Sequence, residues 1–196
     1  MKSILLFLFF LIGGISAAVA ETAEWQYQTG FPNPDLRKIN ANATVTVEQK
    51  TYPVKLTFFC TQDKESGALG VDITLPENVS NYIPMDVIEG PDAAKSMPAN
   101  IIANSQAQKK AFQMRALTSV YWSGDDGKKI VFSISEPYSE HKQFYHLLHY
   151  LSDGADDFEV TLSNPQKNKP NLLIKADAKA GRVAMLYLIK NCGLSI

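Results

Sequence analysis

The chain has 196 residues, of which 45% are hydrophobic, with 19 basic and 20 acidic residues and a formal net charge of −1. This length and apolar content are sufficient for one domain with its own hydrophobic core. The near balance of charge argues against a nucleic-acid partner and against an anionic membrane surface, because both attract strongly basic proteins.

The first 20 residues have the pattern of a secretory signal peptide. Lys2 supplies the positive start, residues 4–12 form an apolar run too short to span a bilayer, and residues 18–20 form a small-x-small cleavage site. We therefore expect a mature chain of residues 21–196, folded as a single domain and not embedded in a membrane. The form of the signal is compatible with the bacterial periplasm, an oxidising compartment where we expect the protein, and a eukaryotic secreted origin stays open.

Alternating apolar residues predict β-strands in the first part of the mature chain. Trp25 and Tyr27 share one face of a first strand at 23–29, and two prolines indicate a loop at 31–40. Further strands are expected at 43–49, 54–60 and 69–75, the first two joined as a hairpin through a turn at 50–53.

Residues 76–110 have a different character. They contain four prolines, few charges, and an apolar cluster formed by Tyr82, Ile83 and Met85. A structureless connection of this length is uncommon inside a compact domain, and such segments usually carry function or contain undetected structure. We expect a short helix or part of a strand within 101–110.

Regular patterns return in the second half of the chain. Strands are predicted at 112–122 and 128–135, and the turn sequence SGDDG between them indicates a hairpin. Two later strands are predicted at 158–164 and 171–178, joined by a polar turn. Between the two pairs lies a helix whose core stripe is Phe144, Leu147, Leu148 and Leu151.

The last predicted element is a helix within 181–193. One of its faces follows the i, i+3, i+4, i+7 spacing through Met185, Leu188, Ile189 and Cys192. Val183 and Leu186 widen this apolar arc, so we expect the helix to be largely buried. Asp177 is the expected N-cap, and Gly193 suits the left-handed position just past a helix end.

The two cysteines, Cys60 and Cys192, are predicted to form a disulfide. Cys60 lies on the same strand face as Leu56 and Phe58, which is the face that the last helix would cover. In the chain-entropy model, closing a loop of about 130 residues stabilises the fold by roughly 4–5 kcal/mol. Two buried free thiols are the alternative. Together these elements predict an α+β fold, with an antiparallel, sandwich-like β-sheet, about two packed helices and one disulfide.

The three histidines lie within nine residues, at His141, His146 and His149. Imidazoles at i and i+3 of a helix can share a metal ion, so one hypothesis is a metal site that Glu140 or Asp153 completes. Helical geometry favours a different interpretation, because His146 points away from the core stripe and His149 lies at its flank. Both histidines would then face solvent.

No catalytic motif is present in the sequence. It contains no GxSxG elbow, no HExxH and no glycine-rich phosphate loop. Its carboxylate pairs, Asp125 with Asp126 and Asp156 with Asp157, lie in turn-like sequence, where Asp commonly makes local hydrogen bonds. We therefore predict that the protein is not an enzyme, and a hydrolase with an unrecognised site stays an alternative.

The order of elements resembles that of a known family. An apolar strand ends in Cys60, and a later strand with Arg115 runs to Trp122 and is followed by SGDDGKKIVFSI. Next come the helix FYHLLHYL and the strand FEVTL. The segment GRVAMLYLIKNC then supplies the second cysteine. This layout, over residues 54–192, resembles the VasI/TagO-type periplasmic accessory proteins of type VI secretion. Periplasmic immunity proteins and lysozyme inhibitors share the habit of a small disulfide-clamped β-domain. The resemblance implies a non-catalytic protein that docks on another envelope protein, and it assigns no functional residue.

We therefore expect a secreted binding protein without a cofactor, acting on another protein as an envelope accessory factor or as an inhibitor of the immunity type. The expected contact residues are Tyr82, Ile83 and Met85, together with Tyr121 and Trp122 beside the hairpin, because interfaces favour aromatic residues and Met. Core or sheet-edge packing is the alternative for the aromatic pair. Metal binding through the histidines is the other functional alternative.

Overall fold

Ten strands in the described part of the chain form one sheet, and every pairing among them is antiparallel. The computed structural model describes residues 25–29, 36–61, 67–84, 89, 95–123, 129–137 and 142–193. The expected signal peptide lies outside them. The strands are β1 (Gln26–Thr29), β2 (Leu36–Val47), β3 (Lys50–Thr61), β4 (Ala68–Leu75), β5 (Pro98–Ser105), β6 (Lys110–Leu117), β7 (Ser119–Trp122), β8 (Ile130–Pro137), β9 (Asp157–Leu162) and β10 (Leu172–Asp177).

The same residues contain three α-helices and a 3₁₀ turn. The helices are α1 (Glu77–Ser80), α2 (Lys142–Ser152) and α3 (Arg182–Asn191), and the 3₁₀ turn is Lys179–Gly181. The two longer helices match the two that the sequence predicts, and the four-residue α1 is additional. None of the described helices combines the length and the apolar composition that a bilayer crossing needs.

The sheet is continuous and curls into a half-barrel, in place of the sandwich-like arrangement that the sequence predicts. Its strand order is β6-β5-β9-β10-β2-β3-β4-β8-β7, with β1 paired to β2 beside this path. β6 and β7 stand at opposite ends of the order, yet only Thr118 separates them in the chain. Because two residues span at most about 7 Å, the two ends of the sheet must meet at Thr118.

Hydrogen bonds around Thr118 hold this junction together. Its backbone N–H donates to the Met97 carbonyl at 3.0 Å, and the Met97 N–H donates to its side-chain Oγ1 at 2.9 Å. The Val120 N–H donates to the Lys95 carbonyl at 2.8 Å. The prediction of one unbroken strand over 112–122 is therefore wrong, because the buried Thr118 passes the chain from one sheet edge to the other.

The β2–β3 hairpin is longer than the sequence predicts. β2 begins at Leu36, inside the segment 31–40 that its prolines indicate as a loop. Its register with β3 runs from Leu36 opposite Thr61 to Val47 opposite Lys50. The first part of β2 also pairs with β1 on its other side. Two neighbouring strands therefore hydrogen-bond to its backbone in the stretch where its apolar residues do not alternate clearly.

The turn of this hairpin lies at Glu48 and Gln49, ahead of the predicted 50–53. Their φ angles are 48° and 66°, and two successive positive φ values are typical of a type I′ turn, whose twist matches that of the flanking strands. Pro53 consequently lies within β3, beyond the residues that β4 pairs with. A proline is tolerated there because no strand on that side needs its missing N–H.

The core lies between the apolar face of the sheet and the two longer helices. α2 packs on β4, β5 and β6, α3 packs on β1 and β2, and the helices contact each other. Phe58 and Phe158 are fully buried, with ring centroids 5.3 Å apart. The predicted α2 stripe is confirmed as buried, through Phe144, Leu147, Leu148 and Leu151.

The predicted disulfide is confirmed. Cys60 in β3 and Cys192 just after α3 are bonded, with Cα atoms 6.1 Å apart and both residues buried. Gly193 has the expected positive φ, 65°. Asp177 is not the N-cap, since α3 begins after Gly181 and the Asp177 Oδ1 accepts a 2.9 Å bond from the Lys179 N–H in the 3₁₀ turn.

Candidate functional site

Helix α3 presents apolar side chains on the face that points away from the protein. Val183 is 77% exposed, and Leu186 and Tyr187 are each 49% exposed. The opposite face is buried through Met185, Leu188 and Ile189. The prediction that Val183 and Leu186 widen the buried stripe is therefore wrong, because the sheet and α2 cover only one side of a helix that is apolar on both.

A groove of about 250 Å³ lies beside this face, between α3 and the start of β1. Three of the six lining residues are aromatic, and the lining consists of Trp25, Tyr27, Ala180, Val183, Ala184 and Tyr187. The rings of Tyr27 and Tyr187 meet edge to face, with centroids 4.1 Å apart. In this geometry the positive edge of one ring contacts the negative face of the other, which is favourable and holds the two walls of the groove together.

Trp25 connects the groove to the core. Its ring stacks on Phe58 with centroids 5.6 Å apart, and its Nε1–H donates to the Asp177 carbonyl at 2.9 Å. The other contact is with Gly181, where a Cβ atom would lie 2.5 Å from indole carbons. Residue 181 therefore has no space for a side chain, and Trp25 has little freedom to move.

The charges on the helix side of the groove are positive. α3 contains Arg182 and Lys190 and no acidic residue. On the strand side, burial raises the pKa of the Tyr27 hydroxyl, and the nearby Arg37 guanidinium opposes that effect. The surface is therefore an apolar groove with cations at both ends of its helix.

The sequence contains only an indirect signal for this site. The shared parity of Trp25 and Tyr27 predicts one strand face, and both residues do line the groove. Apolar residues lie around most of the α3 circumference. This pattern is typical of a helix buried on all sides, and it is equally compatible with a helix that packs on its own core with one face and binds another protein with the other. Local pattern cannot distinguish these cases.

The predicted contact residues of the 76–110 segment differ in accessibility. Ile83 is 2% exposed and belongs to the core, so it cannot contact a partner in the folded protein. Tyr82 is half-buried, and its hydroxyl is hydrogen-bonded to that of Tyr52. Met85 lies outside the described residues.

Tyr121 and Trp122 do not form one patch. They are successive residues of β7, so their side chains point to opposite faces of the sheet. Tyr121 is 44% exposed. Trp122 packs against the core, and its Nε1–H donates to Glu89 Oε1 at 3.1 Å. The structure therefore separates the two contact residues that the sequence groups together.

Asp72 forms a polar cluster on the outer face of the sheet that the sequence analysis does not single out. It lies opposite Thr57 on one neighbouring strand and Ser133 on the other. The hydroxyls of Ser133 and Tyr121 donate to its carboxyl group, while its Oδ1 has no hydrogen-bond partner in the described part of the chain. Burial raises the pKa of Asp72, and burial with the adjacent carboxylate raises the pKa of Tyr121 to about 12.

The histidines are not assembled into a site among the residues described. His146 is exposed on α2, while His149 is half-buried with its ring 4.4 Å from that of Tyr145. His141 lies outside the described residues. Where the structure is described, no group of three or more His, Cys, Asp or Glu side chains is placed to hold a metal ion. Metal binding through the three histidines stays an untested alternative.

Two carboxylates in the described part of the chain have local structural roles. Asp156 accepts a 2.6 Å bond from the Gln106 N–H and forms a 3.0 Å ion pair with Lys179, and these contacts lower its pKa. Glu136 Oε2 accepts a 3.2 Å bond from the Phe144 N–H in the first turn of α2. Both carboxylates hold separate segments of the fold together.

Comparisons with protein-family models, with curated proteins and with solved structures found no match to this chain. The candidate site therefore depends on geometry alone. Five large hydrophobic residues are exposed among those described, and three of them, Val183, Leu186 and Tyr187, lie on consecutive turns of α3.

Proposed function

We propose that this chain is a non-catalytic binding protein that acts on another protein of the bacterial cell envelope. The exposed face of α3 and the adjoining groove are its contact surface. The observation that supports this most directly is the concentration of exposed Val183, Leu186 and Tyr187 on one helix. Contiguous exposed apolar surface on a folded chain usually marks an interaction site, because leaving it in water is unfavourable.

The surface is also held rigidly. The disulfide at Cys192 fixes the end of α3, and Trp25 packs between Phe58 and Gly181 at its start. A preorganised surface loses little conformational entropy on binding, which increases affinity. Trp, Tyr and Arg are also the residues that most often dominate binding energy at protein interfaces.

The proposed compartment is the periplasm. A disulfide between Cys60 and Cys192 supports an oxidising environment, and the pattern of residues 1–20 supports export. Within that compartment we propose an accessory role like that of the VasI/TagO-type proteins, or an inhibitory role of the immunity type. Either role needs a stable scaffold that presents a partner surface.

Photocrosslinking tests the proposal in cells of the source organism. A photoreactive phenylalanine derivative replaces Leu186 in the full-length chain, and an identical replacement at Leu117, an exposed leucine on β6, serves as the matched control. We expect a discrete crosslinked protein from position 186 that is absent or weaker from position 117.

Two results would overturn the proposal. One is the absence of any crosslinked protein from position 186 in cells that export the chain at its normal level. The other is equal crosslinking from positions 186 and 117, since that pattern reports random collision. Turnover of a substrate by the purified chain would separately contradict the non-catalytic assignment.

A further inference from the structure

We infer that the groove beside α3 receives one large apolar side chain from a partner protein segment that carries acidic residues on either side of that anchor. This inference rests on the proposed function and specifies the chemistry of the partner. It follows from the size of the groove, the composition of its walls and the charges at the ends of α3.

The size of the groove favours a single side chain. Its volume is about 250 Å³, below the roughly 300–1,000 Å³ of pockets that enclose drug-sized ligands. Its walls are the rings of Trp25, Tyr27 and Tyr187 together with Val183, Ala184 and Ala180 of the preceding 3₁₀ turn. An aromatic or branched aliphatic side chain inserted there would be removed from water on several sides, as interface anchors usually are.

The charges favour acidic residues beside that anchor. Arg182 and Lys190 lie at the two ends of α3, and both are exposed. Lys179 is already paired with Asp156, and the Asp177 carboxylate already accepts the Lys179 N–H bond. The helix therefore offers two cations and no carboxylate to a ligand. This positive charge repels basic segments and attracts acidic ones.

Two other occupants fit the surface less well. A second copy in a two-fold dimer would place an α3 face against the same face, so that like charges from Arg182 and Lys190 would approach one another. An anionic membrane would neutralise the cations, but a flat lipid surface does not fill a concave groove whose Trp25 Nε1–H is already bonded to the protein. A protein segment can satisfy both the groove and the charges.

A peptide-library selection on the purified mature chain tests the inference. The probe is a phage library of random peptides, and the selected peptides are sequenced against the unselected pool. We expect enrichment of peptides with one Trp, Phe, Leu or Ile flanked by Asp or Glu. The affinity of the best peptide, measured by fluorescence anisotropy, should fall at least tenfold with Tyr187→Ala and at least tenfold with the double change Arg182→Glu and Lys190→Glu.

The control is Lys55→Glu, a charge reversal at an exposed position of β3, which should change the affinity less than twofold. Circular dichroism confirms that each variant is folded before its affinity is compared. If the double charge reversal selects basic-flanked peptides instead, the electrostatic part of the inference is supported directly.

Three outcomes contradict the inference. The first is that the selected peptides are not enriched in Asp or Glu, or that the substitutions in α3 do not change their affinity. Either result would show that the groove does not bind an apolar side chain flanked by acidic residues. Binding to phosphatidylglycerol vesicles without selection of acidic peptides assigns the surface to a membrane. A dimer in sedimentation that Leu186→Glu dissociates assigns it to a second copy. A crosslinked protein at position 186 together with neutral peptides would leave the proposed function standing and remove only this inference, whereas no crosslinked protein removes the function itself.

Discussion

The indole ring of Trp25 lies directly on Gly181, at a distance that leaves no space for even a methyl group at residue 181. This contact joins the chain just before β1 to the residue just before α3, across more than half of the sequence. It positions both walls of the groove, because Tyr27 follows Trp25 and Val183 follows Gly181 within two residues. The geometry of the candidate site therefore depends on one glycine.

Gly181→Ala should lower the free energy of unfolding by about 1–3 kcal/mol, since the added methyl group must displace the ring of Trp25. The φ of Gly181 is −86°, which alanine adopts without strain, so the backbone itself does not oppose the change. Urea denaturation followed by circular dichroism measures the loss. In a Trp25→Ala background the same substitution should have little effect, and an equal loss in both backgrounds would show that the contact is not the cause.

The buried and exposed faces of α3 can be compared with one chemical change. Leu188→Ala removes a fully buried side chain and should lower the free energy of unfolding by about 2–5 kcal/mol. Leu186→Ala lies one half-turn away on the exposed face and should change it by no more than about 0.5 kcal/mol. Urea midpoints of the two variants decide the matter, and similar losses would mean that the outer face of α3 is covered in the folded chain.

Replacement of both cysteines by alanine should destabilise the protein by about 4–5 kcal/mol, because the bond closes a loop of 132 residues in the unfolded chain. Dithiothreitol should lower the urea midpoint of the native protein towards that of the double variant. The double variant itself provides the control, as its midpoint should not respond to the reductant. A native midpoint that is insensitive to dithiothreitol would contradict the proposed contribution of the bond.

The raised pKa of Asp72 should make the free energy of unfolding depend on pH. Burial raises its pKa above the ordinary 3.8, so the folded chain holds this proton more tightly than the unfolded chain does. The contribution of Asp72 to stability is therefore greatest below 3.8 and decreases as the pH rises through the raised value. The free energy of unfolding of Asp72→Asn, minus that of the native protein, should increase with pH over this window and then become constant. Urea denaturation at pH values from about 3 to 7 measures the difference, and a flat difference would refute the assignment.

Several elements could be predicted from sequence because their patterns are local. The alternation of Leu69, Val71, Ile73 and Leu75 predicts the buried face of β4, which the structure confirms. The α2 stripe is equally clear. The pairing of Cys60 with Cys192 required only that both lie on core faces, because with two cysteines no other intramolecular pairing exists.

Other features depend on residues far apart in the chain and could not be predicted. Thr118 looks like the middle of a strand, because the hydrogen bonds with Met97 that break the strand there come from a segment 21 residues away. The first residues of β2 have no clear alternation, and their pairing with β1 and β3 makes them a strand. The Glu48 and Gln49 turn lacks the Asn or Gly that usually indicates a type I′ geometry.

The sequence by itself determined the antiparallel α+β class, the disulfide and the inward faces of β4 and α2, because the spacing of apolar side chains fixes which of them share a face. The tertiary structure alone decided that the sheet curls instead of stacking in two layers, and that one apolar side of α3 is left in water. Those outcomes depend on which segments lie beside each other, since a helix that is apolar on two sides can be buried only where neighbours are available to cover it.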